Sequence, residues 1–398
     1  MERLGIYLQV PFCQTKCTYC NFHTGVVAKE RFAPYVAAVC AEIRGHRELL
    51  RAAGVELGKG SEKQEDSQEW LSHLVDTVYF GGGTPSLLEA GQLQEIVDAI
   101  REAFKTEFEE VTLEADPETI EEGKATAWVK TGINRVSFGV QSFSDKELAA
   151  AGRMHRRADV YRAVPILRQA GIRNISFDLI AGLPHQTKES WTQSLEALIA
   201  LRPEHVSVYL LEVDEGSRLG KELLAGGARY SAGAVPSEDE MAEFYEKAQA
   251  ELAKAGYHHY EISNWARPGF ESKHNLKYWR REAYLGFGAG AHSFSGKLRW
   301  ANAHDAAAYA HAIESGRLPV EQLEAVTEKM ALEEELFLGL RQLSGIDVRR
   351  IEREYGVALA GRFEPLAAAG LVQREGNVVR LAEEKLSVSN EVFVELMR

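Results

Sequence analysis

The 398-residue sequence predicts an α/β fold: a partial (β/α)6 barrel with a C-terminal helical, winged-helix-like domain. Three observations predict it. Short β-branched strands alternate with helical segments six times between Leu4 and Glu212, the pattern of a parallel sheet with right-handed crossovers. Polar residues recur where these strands end. Three of the four cysteines, Cys13, Cys17 and Cys20, fall in one loop directly after the first strand. Six units fall short of the eight that close a full barrel, so an open or partial barrel is expected.

The elements follow in order. Leu4–Val10 reads as a strand and Arg31–Leu50 as a helix. Residues 56–72 are polar and read as a surface insertion. Asp76–Phe80 is a strand ending in Gly81-Gly82-Gly83, followed by a helix over Ala90–Phe104. Glu110–Ala115 is a strand, with a helix from Glu118 to Thr131. Arg135–Gly139 is a strand, with helical stretches to Ala170. Asn174–Ile180 and His205–Glu212 are strands on either side of a helix over Lys188–Leu201. Gly226–Pro236 reads as a linker, and Glu238–Ala255 as an amphipathic helix burying Met241, Phe244, Tyr245, Ala248 and Leu252. Tyr257–Asn302 is rich in aromatic residues, His and Gly, with little regular period. From Val326 the pattern is three helices, a hairpin turning at Gly376-Asn377, and a last helix. The expected units are 1–235 (the core, with the cysteine loop), 236–325 (an extension completing it) and 326–398 (the winged-helix-like domain).

Composition excludes several classes. There are 46 basic and 59 acidic residues, a net charge of −13. Together with the lack of any Lys/Arg block, that charge speaks against nucleic acid as a partner. The third helix of the tail carries Arg362 but also Glu364 and several alanines, too few donors for a DNA reader. No apolar run approaches the length of a membrane helix. Met1-Glu2-Arg3-Leu4 shows no basic-then-apolar leader, so a cytoplasmic location is expected.

Cysteine arithmetic excludes a disulfide framework and points to a metal or redox site. The Cys-x3-Cys-x2-Cys spacing suits an iron–sulfur cube held by three thiolates, with one iron left open to a small ligand. Zinc is the alternative, because His23 could complete a Cys3His set. Cys40 shares a helix face with Val36, Val39 and Ile43 and reads as a buried apolar residue. Glu114, Asp116, Gln141 and Asp178 fall in register at the C-terminal ends of strands, with Arg153 and His155 after the fourth unit. Gly286-Phe287-Gly288-Ala289-Gly290-Ala291 matches a dinucleotide pattern but opens no helix, and is set aside. His274–Trp279 and Tyr260–Trp265 could line a flat aromatic site or form a buried polar network.

Together these residues resemble the radical S-adenosylmethionine (SAM) superfamily, in the branch of anaerobic coproporphyrinogen oxidase and its relatives. The resemblance runs through Val10–Cys20, Gly81–Pro85, Glu114–Pro117, Asn134–Phe143, Gly152–His155, Asp178–Pro184, Tyr260–Asn264 and Tyr284–Ser293. It implies a [4Fe-4S] cluster on Cys13, Cys17 and Cys20, with SAM at the fourth iron. It further implies that Gly82, Gly83, Thr84 and Glu114 hold SAM and that Tyr7 and Tyr19 flank it. Gln141, Arg153 and Asp178 match residues around a second SAM in the oxidase.

Three differences separate this chain from the oxidase. The oxidase has a further cysteine where this sequence has Phe22. It has a longer stretch before the first strand, and it lacks the HNxxYW run found here at His274–Trp279. The resemblance therefore implies the haem-chaperone subgroup, with haem as a ligand, His274 near or on its iron, and a haem-accepting apoprotein as partner. It admits transient contact with a membrane protein and leaves monomer and homodimer open. Oxygen-independent coproporphyrinogen III oxidase is the alternative activity, and whether the chain is an enzyme stays open.

Overall fold

The computed structural model describes residues 3–52 and 73–396, so the insertion expected at 56–72 lies outside the described residues. Six βα units come first. Strand β1 (Arg3–Val10) precedes helix α1 (Phe32–Ala52), and β2 (Leu74–Gly82) precedes α2 (Ala90–Ala103). Next come β3 (Lys105–Ala115), α3 (Glu122–Thr131), β4 (Arg135–Gln141), α4 (Asp145–Ala150) and α5 (Arg157–Ala170). Then β5 (Asn174–Ala181), α6 (Lys188–Leu201), β6 (His205–Leu210), α7 (Arg218–Leu224) and α8 (Glu238–Lys254) follow. Strands β1 to β6 pair in parallel and in sequence order. Each was legible because its central residues are buried on both faces and read as short apolar runs.

Two expected elements differ in detail. The helix expected from Glu118 begins only at Glu122, because Asp116-Pro117 starts a separate 3-10 turn over Pro117–Thr119. Part of the Gly226–Pro236 linker is a 3-10 stretch, Arg229–Ala234. Helix α8 buries the five residues its periodicity picks out.

The aperiodic stretch holds the larger difference. It contains β7 (His258–Glu261), β8 (Asn264–Ala266), α9 (Lys273–Trp279), β9 (Tyr284–Phe287), β10 (His292–Phe294) and β11 (Leu298–Asn302). Helix α10 (Ala306–Glu314) and β12 (Val320–Ala325) follow. These strands extend the sheet at both ends, giving the order β12-β11-β10-β9-β1-β2-β3-β4-β5-β6-β8-β7. Strand β9 runs parallel to β1, while β8 runs antiparallel to β6. Strands of three to five residues are too short to show a period, which is why the sequence hides them.

The tail comprises α11 (Glu328–Arg341), β13 (Ile346–Asp347), α12 (Val348–Tyr355), α13 (Ala360–Ala368), β14 (Val372–Glu375), β15 (Val378–Leu381) and α14 (Ser389–Leu396). Its three strands form a small sheet of order β13-β15-β14. One hydrophobic core runs from Leu4 and Ile6 in β1 to Leu336 in α11 and Leu396 in α14. Among the described residues no helix is long and apolar enough to cross a membrane.

Candidate cofactor site and cleft

The cysteine loop leaves β1 at Val10 and is closed on itself. Gly25 N–H donates to the Pro11 carbonyl (2.9 Å), and Cys13 N–H donates to the Gly25 carbonyl (3.0 Å). Its middle is tied to the barrel: Thr18 N–H donates to the Ala151 carbonyl (3.0 Å), and Leu219 N–H to the Thr18 carbonyl (2.8 Å). The glycine run after β2 holds the near side. Gly83 N–H donates to the Val10 carbonyl (2.8 Å) and Thr84 N–H to the Phe12 carbonyl (2.7 Å). A Cβ on Gly83 would lie 2.4 Å from the Phe12 carbonyl oxygen, so only glycine admits this approach. At Gly83, which the resemblance assigns to SAM, the side a Cβ would occupy is taken by the cysteine loop itself.

All three thiols are free. Cys17 is buried, and burial pushes the Cys13 and Cys20 thiols up from the ordinary value. Such thiols become thiolates when a metal centre supplies the compensating charge. Arg153 sits directly behind them, its Nη1 donating to Cys17 Sγ (3.5 Å) and its Nη2 to the Gly139 carbonyl (2.9 Å). The same guanidinium pairs with Asp116, which also accepts from Thr84 Oγ1 (3.2 Å). Gln141 takes a left-handed backbone (φ 64°), a strained setting for a non-glycine residue. Its amide lies over Gly139, beside Arg153 and Asp116. Tyr19 packs against the small cluster of Ala151, Ile180 and Leu183, and Cys17 and Arg153 both act on its phenol.

A second group lies one step along the sheet. Glu114 accepts from Tyr79 Oη (2.8 Å) and from Gly82 N–H (3.0 Å). Burial outweighs both bonds and pushes its carboxyl up to about 7. The Tyr7 ring stacks on Tyr79 at 6.0 Å, and its hydroxyl donates to Gln9 Oε1 (2.8 Å). Asp178 lies deeper, accepting from Ser137 Oγ (3.3 Å), and burial raises its carboxyl.

Tyr7, Gln9, Gly82 and Glu114 form one wall of an open cleft of about 510 Å³. Asn21, Phe22 and His23 of the cysteine loop form another; Tyr278, Tyr284, Gly290, His292 and His304 form the third. His274 is not on this surface. It is buried, its Nδ1 2.9 Å from Thr77 Oγ1 and its Nε2 2.8 Å from Tyr278 Oη. Burial first, then Lys277, lowers its pKa to about 3, so the ring is neutral. It reaches the cleft only through Tyr278. Tyr278 lies within the His274–Trp279 run, and Tyr284 and His292 within the Tyr284–Ser293 run of the resemblance; Gln9, Tyr79 and His304 carry no sequence signal as site residues.

Two metal readings bear on the three loop thiols. Among the described residues, no three or more His, Cys, Asp or Glu side chains form a ready-made single-ion site, and this bears equally on both readings. A tetrahedral zinc site needs its ligands about 2.0–2.3 Å from one ion. His23, the proposed fourth zinc ligand, has its ring 4.2 Å from that of His304. Three thiols on a pinned loop, with an Arg N–H on one sulfur, fit a cube whose irons sit at separate corners.

Fold and site thus define a class: a partial βα barrel with a loop of three free thiols, suited to an iron–sulfur centre, directly after its first strand. Residues 7–198 match the radical SAM superfamily, and residues 326–384 match the HemN C-terminal domain. The protein named heme chaperone HemW from Bacillus subtilis is 34% identical over 97% of both chains. Its namesake from Lactococcus lactis is 32% identical over 97% of this chain and 95% of its own. The Escherichia coli coproporphyrinogen III oxidase HemN shares the fold, with a TM-score of 0.82 over 99% of this chain and 90% of that one, at 22% identity. The chain belongs to the HemW family of the HemN-like radical SAM proteins. Membership implies a [4Fe-4S] cluster and SAM, which the donor set fits.

Proposed function

We propose that this protein is a haem chaperone. It binds haem in the cleft beside the cysteine loop and passes it to an acceptor apoprotein. The observation that carries this reading is the end-to-end similarity to a protein named heme chaperone, 34% identity over 97% of both chains. The cleft supports it: aromatic rings and imidazoles face the cysteine loop across a volume within the roughly 300–1,000 Å³ of cofactor sites.

Cys13, Cys17 and Cys20 are the cluster ligands. When bound, the cluster supplies one-electron chemistry and an open iron for the methionine end of SAM. Gly82, Gly83, Thr84 and Glu114 hold that cofactor, with Tyr7 and Tyr19 flanking it. Gln141 and Arg153, with Asp178 beneath, shape the adjoining strand ends. His274 acts near the haem by orienting Tyr278. Residues 1–235 form the cofactor core, 236–325 complete the cleft, and 326–398 pack as a winged-helix-like unit. The chain works in the cytoplasm, as monomer or homodimer, and its contact with a membrane protein is transient.

Hemin titration of the anaerobically reconstituted protein tests the reading. One equivalent bound, with a Soret band that moves to an added apoprotein, is the expected result. Conversion of coproporphyrinogen to protoporphyrinogen with SAM and reductant would overturn it.

A further inference from the structure

Haem brings four nitrogens of its own and asks the protein for one or two axial ligands. Haem can therefore be ligated by a single imidazole, even where no three side chains gather round a metal ion. His274 does not suit that task, because both of its ring nitrogens are engaged and the ring is buried beneath the cleft.

Three other histidines line the cleft itself: His23, His292 and His304. They differ in how they are held. His23 is exposed on the cysteine loop, and His292 is exposed at the start of β10. His304 follows β11, between Ala303 and the N-cap of α10. The Ala303 side of this corner is fixed twice: its N–H donates to the Pro319 carbonyl (2.6 Å), and its carbonyl accepts from Gly290 N–H (2.9 Å). Gly290, at φ 74°, lies against the imidazole, where a Cβ would come 2.9 Å from His304 Nδ1. That Nδ1 is buried against Gly290 without a hydrogen-bond partner, which leaves Nε2 as the ring nitrogen an iron could reach. In the lining of the same cleft, Phe22 stands 64% exposed on the cysteine loop, an apolar side chain that no core covers.

We infer that His304 supplies the axial imidazole to the haem iron, with the His23 ring packed beside it and Phe22 against the macrocycle. This rests on the haem-chaperone reading above. Two adjacent rings with centroids 4.2 Å apart cannot sit on opposite faces of one iron, so His23 is the neighbour and not the second axial ligand. The rigid corner favours His304 over its exposed neighbours, because a preorganised ligand loses less freedom on binding.

The test is hemin titration of the cluster-loaded protein, with cluster absorbance as the control for folding. The wild type is expected to show a histidine-ligated Soret spectrum. His304→Gly is expected to lose that spectrum and bind hemin at least about tenfold more weakly, and free imidazole is expected to restore the band. His258→Gln, at an exposed position on β7 away from the cleft, is expected to keep it. A wild-type spectrum in His304→Gly would overturn the assignment while leaving haem carriage intact. No hemin uptake by the wild type would overturn both. If His304→Gly also loses its cluster, His304→Gln provides the variant that retains the corner, with the same outcomes read from it.

Discussion

Cys13, Cys17 and Cys20 stand apart from Cys40 because of what surrounds them. Cys40 is packed among Val36, Val39 and Ile43 and behaves as a small apolar side chain. The loop thiols have Thr24, Thr84 and Arg153 around them. Replacing any one of the three by alanine is expected to reduce cluster iron and sulfide, after anaerobic reconstitution, to near zero with the far-ultraviolet circular dichroism retained. A full cluster in Cys17→Ala would contradict the ligand assignment. Glu114 offers a second check at this scale. Its carboxyl is pushed up to about 7 by burial, so it gains its charge as pH rises through neutrality. The methionine amino group of SAM, held at the open iron, presents N–H donors that an ionised carboxylate accepts more strongly than a neutral one does. Affinity for SAM is expected to rise between about pH 6 and 8, and Glu114→Gln to flatten that rise and weaken binding about tenfold. Isothermal titration at several pH values measures both.

Helix α1 shows how one buried carboxylate joins elements distant in sequence. Glu42 accepts from Tyr309 Oη (2.6 Å), Gly288 N–H (2.9 Å) and Asn302 Nδ2 (2.7 Å). It thereby ties α1 to the turn after β9, to β11 and to α10, the wall that carries His304. Burial pushes the Glu42 carboxyl up to about 7 despite those three donors. The folded state therefore holds this proton more tightly than the unfolded chain does. That contribution is complete below the ordinary value of 4.5 and is lost as pH rises through about 7. Denaturant titrations should show wild-type stability falling, relative to Glu42→Gln, from about pH 5 to pH 8. Glu42→Ala orphans three donors and is expected to cost roughly 2–4 kcal/mol. The sequence shows Glu42 only as one acid on a helix, since its three partners lie 246 to 267 residues away.

The whole molecule is held by a core that does not stop at Val326. Leu332, Leu336 and Leu340 of α11 are buried in the same cluster as the barrel strands. Polar links cross the same seam. Arg341 pairs with the buried Glu261 (3.3 Å), and Glu334 accepts from Arg281 (3.0 Å) and Arg299 (2.8 Å). Leu336→Ala is expected to cost about 2–5 kcal/mol, seen as a lower Tm of the whole protein. A chain ending at Ala325 should unfold at lower temperature than the intact chain and bind the dye ANS, since α11 then leaves apolar surface bare. An unchanged Tm would mean the tail is an independent appendage.

The six parallel strands, the cysteine loop and the tail helices are legible in the sequence because each is a local pattern: an apolar run, a fixed spacing, a 3.6-residue period. Three thiols within eight residues belong to one loop in any compact fold of this chain. Tertiary structure alone determined the rest. It brought β9 beside β1, seated His274 under the cleft rather than on it, and set His23, Phe22 and His304 around one opening. Phe22 and His23 are neighbours in the cysteine loop, while His304 lies far along the chain beyond strands too short to leave a period. A pairing between non-neighbours depends on packing free energy summed over the whole core, which no local spacing records.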